Sequence, residues 1–286
     1  MSVKKEQKED PLDEFRDYMK KKNLSSNTMI AYLIGVLMFL ERYSEATPDT
    51  LRDYRDFLLS RYRPSTTNQR IHAVNCYLRF LKEAHPEENT SPDHFRLRST
   101  KIPHGSFLDS IISNEDCTRL ENGLKNDRNF FWYFVVRFLV TTGTRVSELT
   151  QIKIEHLNCG YLDLCSKGGK IRRIYITDSL CREALEWCNS RGQTSGFLFL
   201  TKSGHTITSR GIHFQLKHYA RQYGIDPRTT YPHSFRHRFA INFLERCGDI
   251  ALLADILGHE SIETTRIYLT RSSMEQKKMM DKIVTW

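Results

Sequence analysis

Apolar residues recur along the first ninety positions with a period of three to four, the spacing that puts them on one face of a helix. Four helices follow from it. Pro11–Lys22 is amphipathic, the polar break Asn23–Ser26 precedes Asn27–Tyr43, and Thr47-Pro48 opens a third helix running to about Tyr62. Proline is tolerated at a helix start because its missing N–H would have no partner there. Pro64 opens the fourth, Ser65–Ala84, with Ile71, Val74, Leu78 and Leu81 on one face. The pattern then fades. His85–Ser106 carries Pro86, Pro92 and Pro103 with few apolar residues and reads as a linker. This divides the chain into a helical domain over 1–100, with the linker starting near 85, and a second domain over 107–286.

In the second domain Ser113 and Asp116 form a capping pattern ahead of a helix at Asn114–Lys125. Asn129–Thr142 is apolar on most sides and is expected in the core. Strand signals are confined to 160–201: Tyr161–Ser166 and Lys170–Ile176 flank the turn Gly168-Gly169, and Phe197–Thr201 is a third candidate. Helical patterns resume at Gly211–Tyr223, Ser234–Cys247, Ile250–Leu257 and Glu263–Leu269, with a polar tail helix from Ser273 onward. The expected fold is mainly α: a four-helix domain, then a mainly helical domain with a small antiparallel sheet.

Composition narrows the function classes. No apolar stretch approaches the roughly 18 residues that span a bilayer; the longest, Phe130–Val140, is interrupted by Arg137. The opening MSVKKEQKED is too polar for a signal peptide. The seven scattered cysteines include no CxxC pair, which suits reduced thiols in a cytoplasm. Of the net charge of +9, the first hundred residues supply +2 (17 Lys and Arg against 15 Asp and Glu), so +7 lies beyond them. With a pI near 9.2, that balance suits a nucleic-acid binder, and equally an ordinary basic protein.

Three segments could carry chemistry: TGTRVSEL at 142–149, HSFRHRFA at 233–240 and LGHESIETTRIY at 257–268. Arg145 and Arg236 could each fork two N–H groups onto the oxygens of a phosphodiester. His233 and His259 could donate to it or exchange protons with it. The Tyr268 hydroxyl, with an ordinary pKa near 10, needs cationic neighbours to act as a nucleophile. Taken singly, each residue has a plainer reading: an ion-paired arginine, a helix cap, a half-buried core tyrosine. His233 and His237 have the i, i+4 spacing of a zinc pair, but no Glu follows the first and Arg236 would sit beside the metal. His237 is therefore read as a structural residue, and neither metal nor cofactor is expected.

The order and spacing of these residues resemble the tyrosine recombinase, or phage integrase, family, and its two-domain Xer-like members in particular. The family pattern is an Arg in TG-x-R-x-S-E-L, a Lys on a β-hairpin, H-x-x-R, Gly-His and a Tyr. Arg145, Lys167, His233, Arg236, His259 and Tyr268 fall on it in order, and Glu148 matches the acidic position three after the first Arg. The family hairpin usually reads G-K-G-x-K, whereas this chain has Ser166-Lys167-Gly168-Gly169-Lys170, so Lys170 competes with Lys167. Lys170, Arg172 and Arg173 are read as phosphate contacts, or alternatively as a solvated hairpin edge.

The resemblance implies a site-specific DNA recombinase that needs neither ATP nor metal. Tyr268 would attack a DNA phosphate held by Arg145 and Arg236, with His259 supporting the charge. His233 would take the tyrosine proton, Lys167 would protonate the leaving 5′-oxygen, and Glu148 would orient the arginines. It also implies clamping of double-stranded target sites between the two domains. Assembly would be as a homo-tetramer, or a hetero-tetramer with a related recombinase, through the tail Ser273–Trp286. The alternatives are a type IB topoisomerase-like activity and a non-catalytic DNA-binding protein on the same fold.

Overall fold

The structure is a computed structural model that describes residues 11–84, 96–101, 111–165, 171–259 and 261–269, with 280, 281 and 284. It divides into two compact units, Met1–Gly105 and Ser106–Trp286.

The first unit is helical, with α1 Pro11–Lys21, α2 Ser26–Leu40, α3 Pro48–Arg61 and α4 Pro64–Ala84. Local chemistry sets the starts. The Ser25 hydroxyl accepts from the Thr28 backbone N–H, and Thr47 and Thr50 cap each other reciprocally at the head of α3. Phe15, Phe39, Tyr54, Ile71, Val74 and Phe80 fill the core. Part of the expected linker is held against this unit. The Asn75 amide donates to the Leu97 carbonyl and accepts from its N–H, both at 3.0 Å. Asn68 does the same for Thr100 at 2.9 and 2.8 Å. Two side-chain amides thus supply the pairing a neighbouring strand would otherwise give.

The second unit runs α5 Asn114–Asn126, α6 Phe130–Thr142, α7 Val146–Leu149, α8 Ile154–Cys159, β1 Tyr161–Cys165, β2 Ile171–Tyr175, α9 Asp178–Ser190, α10 Ser209–Gln222, α11 Pro232–Cys247, α12 Ile250–Leu257 and α13 Glu263–Arg266, closing on a 3-10 turn at Ile267–Leu269. The apolar α6 is the core helix its composition predicts, with Phe134, Val135, Val136, Phe138 and Leu139 buried. β1 and β2 pair antiparallel from Tyr161↔Tyr175 to Cys165↔Ile171. The expected third strand is absent. Phe197–Thr201 makes one bridge to Lys153 and another to Thr206, pairing briefly with two different segments instead of extending along one. Helix α9 was not among the expected elements, although Leu180, Cys181, Ala184, Trp187 and Cys188 recur on one buried face at helical spacing. Among the described residues no helix is long and apolar enough to cross a membrane.

Candidate active site

The site is built around the carboxyl end of α12. The last carbonyls of a helix have no partner within it and carry partial negative charge. Here three guanidinium groups take them up. Arg172 Nε donates to Ile256 O at 2.9 Å, Arg236 Nη2 to Leu257 O, and Arg145 Nη2 to Gly258 O at 3.4 Å. Three arginines from three elements are thereby gathered at one point, and His259 follows directly after it.

Two glycines make this approach possible. Gly258 caps α12 in the left-handed conformation (φ 63°), and a Cβ there would lie 2.2 Å from Arg172 Cδ. Gly143 caps α6 at φ 60°, and a Cβ there would strike the Phe239 ring at 2.4 Å. The Gly143 carbonyl accepts from Arg236 Nη1 at 2.8 Å. The glycines of the TG and GH motifs therefore serve close backbone approach to the arginines.

Glu148 ties the cluster together. Its Oε2 accepts from the Arg145 backbone N–H at 2.6 Å, and its Oε1 accepts from Arg145 Nη1 at 2.8 Å and from Arg172 Nη1. Burial alone would raise this carboxyl. The Arg172 charge, the Arg145 N–H and the side-chain bonds to both arginines outweigh it and hold the pKa below the usual glutamate range. Arg172 is only 8% exposed and its Nη2 is buried without a partner among the described residues. Arg236 is 1% exposed. Burial first, then the like charges of Arg145 and Arg172, press its pKa down to about 9, the mark of a cation without enough anion beside it.

The imidazoles are held neutral. His259 donates to or accepts from the Thr265 hydroxyl through Nδ1 at 2.8 Å. Burial, then the charges of Arg236, Arg145 and Arg172, lower its pKa to about 4. His233 is exposed near the start of α11, and partial desolvation followed by Arg236 and Arg145 moves it down as well. Tyr268 packs on Ala240, Leu244, Leu253 and Leu257, and burial pushes its hydroxyl up to about 12 despite the pull of Arg236. That hydroxyl lies 2.6 Å from His237 Nδ1. The His237 ring stands edge-on to that of His233 with centroids 4.4 Å apart.

Arg145, Glu148, His233, Arg236, His259 and Tyr268 are thus brought together. Lys167 and Lys170 fall in 166–170, outside the described residues. Arg172, read as a phosphate contact or alternatively as part of a solvated hairpin edge, is buried: strand alternation turns it inward with Ile174, onto Glu148. Arg173 points outward and pairs with Asp163 through two bonds of 2.8 and 2.7 Å. His237 was read as structural, but it contacts the hydroxyl expected to react. A second omission is one face of α10, a helix expected at Gly211–Tyr223: Arg210, His213, Phe214 and Lys217 join Arg145 and His233 around a cleft of about 780 Å³. Phe214 is 69% exposed there. Its signal was available in the i, i+3, i+4, i+7 spacing of those four residues.

Comparison with known proteins identifies the arrangement. Residues 113–275 match the phage integrase family. Tyrosine recombinase XerA of Pyrococcus furiosus is 32% identical over 278 residues, covering 95% of this chain and 93% of the relative. Tyrosine recombinase XerC of Roseiflexus sp. is 30% identical over 270 residues, covering 86% and 84%. Among solved structures, XerH site-specific recombinase bound to palindromic difH substrate in a post-cleavage complex has a similar fold, with a TM-score of 0.74 at 18% identity, covering 94% of this chain and 84% of that one. The chain belongs to the phage integrase family, the tyrosine-type site-specific recombinases.

Proposed function

We propose that this recombinase cleaves and rejoins double-stranded DNA by transesterification through Tyr268, leaving a 3′-phosphotyrosyl link and a free 5′-hydroxyl. One observation carries the reading. The Tyr268 hydroxyl lies at the edge of a cluster in which three guanidiniums, Arg145, Arg172 and Arg236, face one carboxylate, Glu148, a surplus of two positive charges. Buried charge of one sign is costly unless an anion joins it, and a DNA phosphate is such an anion.

Arg145 and Arg236 hold the non-bridging oxygens, where negative charge grows in the transition state, and His259 supports them. Glu148 and Arg172 keep Arg145 in place. One of the two imidazoles on α11 takes the phenolic proton, and Lys167 protonates the leaving 5′-oxygen. Because the phosphotyrosyl link conserves the energy of the broken bond, ATP is not required, and the residues in these roles need no metal. Arg210 and Lys217 in the cleft carry the neighbouring phosphates. The solved complexes of XerH with difH substrate and of lambda integrase with a COC′ core site support DNA as the partner. The first helical unit forms the other half of a DNA clamp. Strand exchange takes place in a cytoplasmic tetramer linked through the tail Ser273–Trp286, most of which lies outside the described residues.

A nicked duplex that loses its 5′-hydroxyl fragment after cleavage traps the covalent intermediate, and the trap tests the reading. The wild-type chain forms a protein–DNA adduct that survives denaturing electrophoresis, and Tyr268→Phe forms none while still binding DNA. An adduct with the phenylalanine variant would remove Tyr268 from the role.

A further inference from the structure

Given Tyr268 as the nucleophile, we infer that His237, and not His233, accepts its proton as the phenolic oxygen attacks phosphorus. The geometry selects it. His237 Nδ1 is 2.6 Å from the hydroxyl, and both side chains are at least nine-tenths buried, so water does not compete for the bond. His233 lies one turn earlier on α11, is exposed and lines the cleft. Its ring meets the edge of His237 and walls that imidazole in. The two histidines of α11 therefore divide the work: His233 meets the phosphate and His237 meets the tyrosine.

A proton acceptor must arrive neutral. Burial, then the charges of His233, Arg236 and His259, hold the His237 pKa down to about 3, which keeps one ring nitrogen unprotonated at neutral pH. Complete transfer before attack would be far uphill, since the Tyr268 hydroxyl stands at about 12. The transfer therefore accompanies bond formation, because a phenolic oxygen already bonding to phosphorus is a much stronger acid than a free phenol. In the step, the O–H bond of Tyr268 breaks and its proton goes to Nδ1, giving an imidazolium. The O–P bond forms, the bond from phosphorus to the 5′-oxygen breaks, and that oxygen takes its own proton from the acid assigned to Lys167. In the rejoining step the 5′-hydroxyl attacks phosphorus and gives its proton back to the base form of the acid assigned to Lys167, the bond from phosphorus to Tyr268 breaks, and the imidazolium returns its proton to the tyrosine.

The test uses the full chain on the nicked substrate under single-turnover conditions, with DNA binding measured in parallel. His237→Ala and the volume-preserving His237→Gln should bind DNA and form adduct 10²–10⁴-fold more slowly, the range for loss of a general base. Replacing Tyr268 by 2,3,5-trifluorotyrosine, whose phenol is more acidic, should recover at least 10-fold of that loss in both variants and change wild type and His233→Ala little. A role confined to positioning the tyrosine would not produce this rescue. The inference is overturned if His237→Ala cleaves as fast as wild type or faster, since the contact would then only stow the tyrosine. It is also overturned if fluorination rescues His233→Ala instead, or if His237→Gln keeps the wild-type rate. Tyr268→Phe in the same assay keeps the two ideas separable: an adduct from that variant defeats the nucleophile assignment, whatever His237 does.

Discussion

The two units bury polar groups in different ways. In the first, the buried polar side chains among the described residues are Thr67 and Asn75, both neutral and both hydrogen-bonded to backbone. In the second, Glu148, Arg172, Arg236 and His237 are all buried within the same site. A neutral amide that satisfies two backbone groups strengthens a fold at little electrostatic cost. Guanidiniums that outnumber carboxylates do not: removing each from water costs several kcal/mol, which only partners recover. In the first unit the buried polar side chains Thr67 and Asn75 serve the fold. The second gathers its buried charged side chains, Glu148, Arg172 and Arg236, at one site, and such a concentration of costly groups marks function.

The comparison breaks most sharply at Arg172. Arg172→Ala leaves Glu148 buried with a single partner, and loss of one member of a buried pair typically costs about 3–5 kcal/mol. Denaturant unfolding of the full chain should show that loss in the transition of the catalytic unit, and adduct formation should slow because Arg145 loses its anchored carboxylate. A loss under about 1 kcal/mol would mean that Arg145 alone satisfies Glu148.

Asn75 gives the matching measurement in the first unit. Asn75→Ala strands the N–H and C=O of Leu97, at a cost of about 1–3 kcal/mol for buried groups left unpaired. The loss should appear as a lowered midpoint for the first unit, with the rate of adduct formation on saturating DNA unchanged. A fall in that rate would tie the Asn75 clamp to the chemistry and erase the contrast between the units.

How far the sequence could be read follows from the range of each signal. Helix starts were legible because Ser25, Thr47 and Ser113 act on N–H groups three residues away. The residues gathered at the candidate site were legible as a group because Arg145, His233, Arg236, His259 and Tyr268 stand in a family order. The His237–Tyr268 contact was not, because the two residues are 31 positions apart on elements whose packing no local pattern encodes. The spacing of His233 and His237 was noticed, but it was weighed only as a metal pair. The inward turn of Arg172 was missed for a different reason. In Ile171–Tyr175 burial alternates, and Ile174 fixes the inward face, so the residue two before it points inward too. Period should have outranked charge there. For α9 the helical spacing of Leu180, Ala184, Trp187 and Cys188 was present, but it lay within a stretch read for strands.

Arg173 supplies the smallest effect and the finest form of the comparison, because it adjoins Arg172 on β2 and faces the other way. Its guanidinium pairs with Asp163 on β1 and lies 3.8 Å from the centre of the Tyr161 ring, with 43% of the side chain exposed. Exposed pairs contribute little, even with two well-formed bonds, because water and salt screen them. Arg173→Ala should therefore leave the unfolding midpoint of the second unit almost unchanged, a far smaller shift than that of Arg172→Ala one residue away. Its DNA role separates in a salt titration. If Arg173 leaves Asp163 for a phosphate, the variant should bind DNA more weakly at low salt, and the slope of log affinity against log salt should be shallower by about 1. An unchanged slope would keep Arg173 on Asp163 and off the DNA. A stability loss as large as that of Arg172→Ala would show that which way a β2 side chain faces does not decide what its charge is worth.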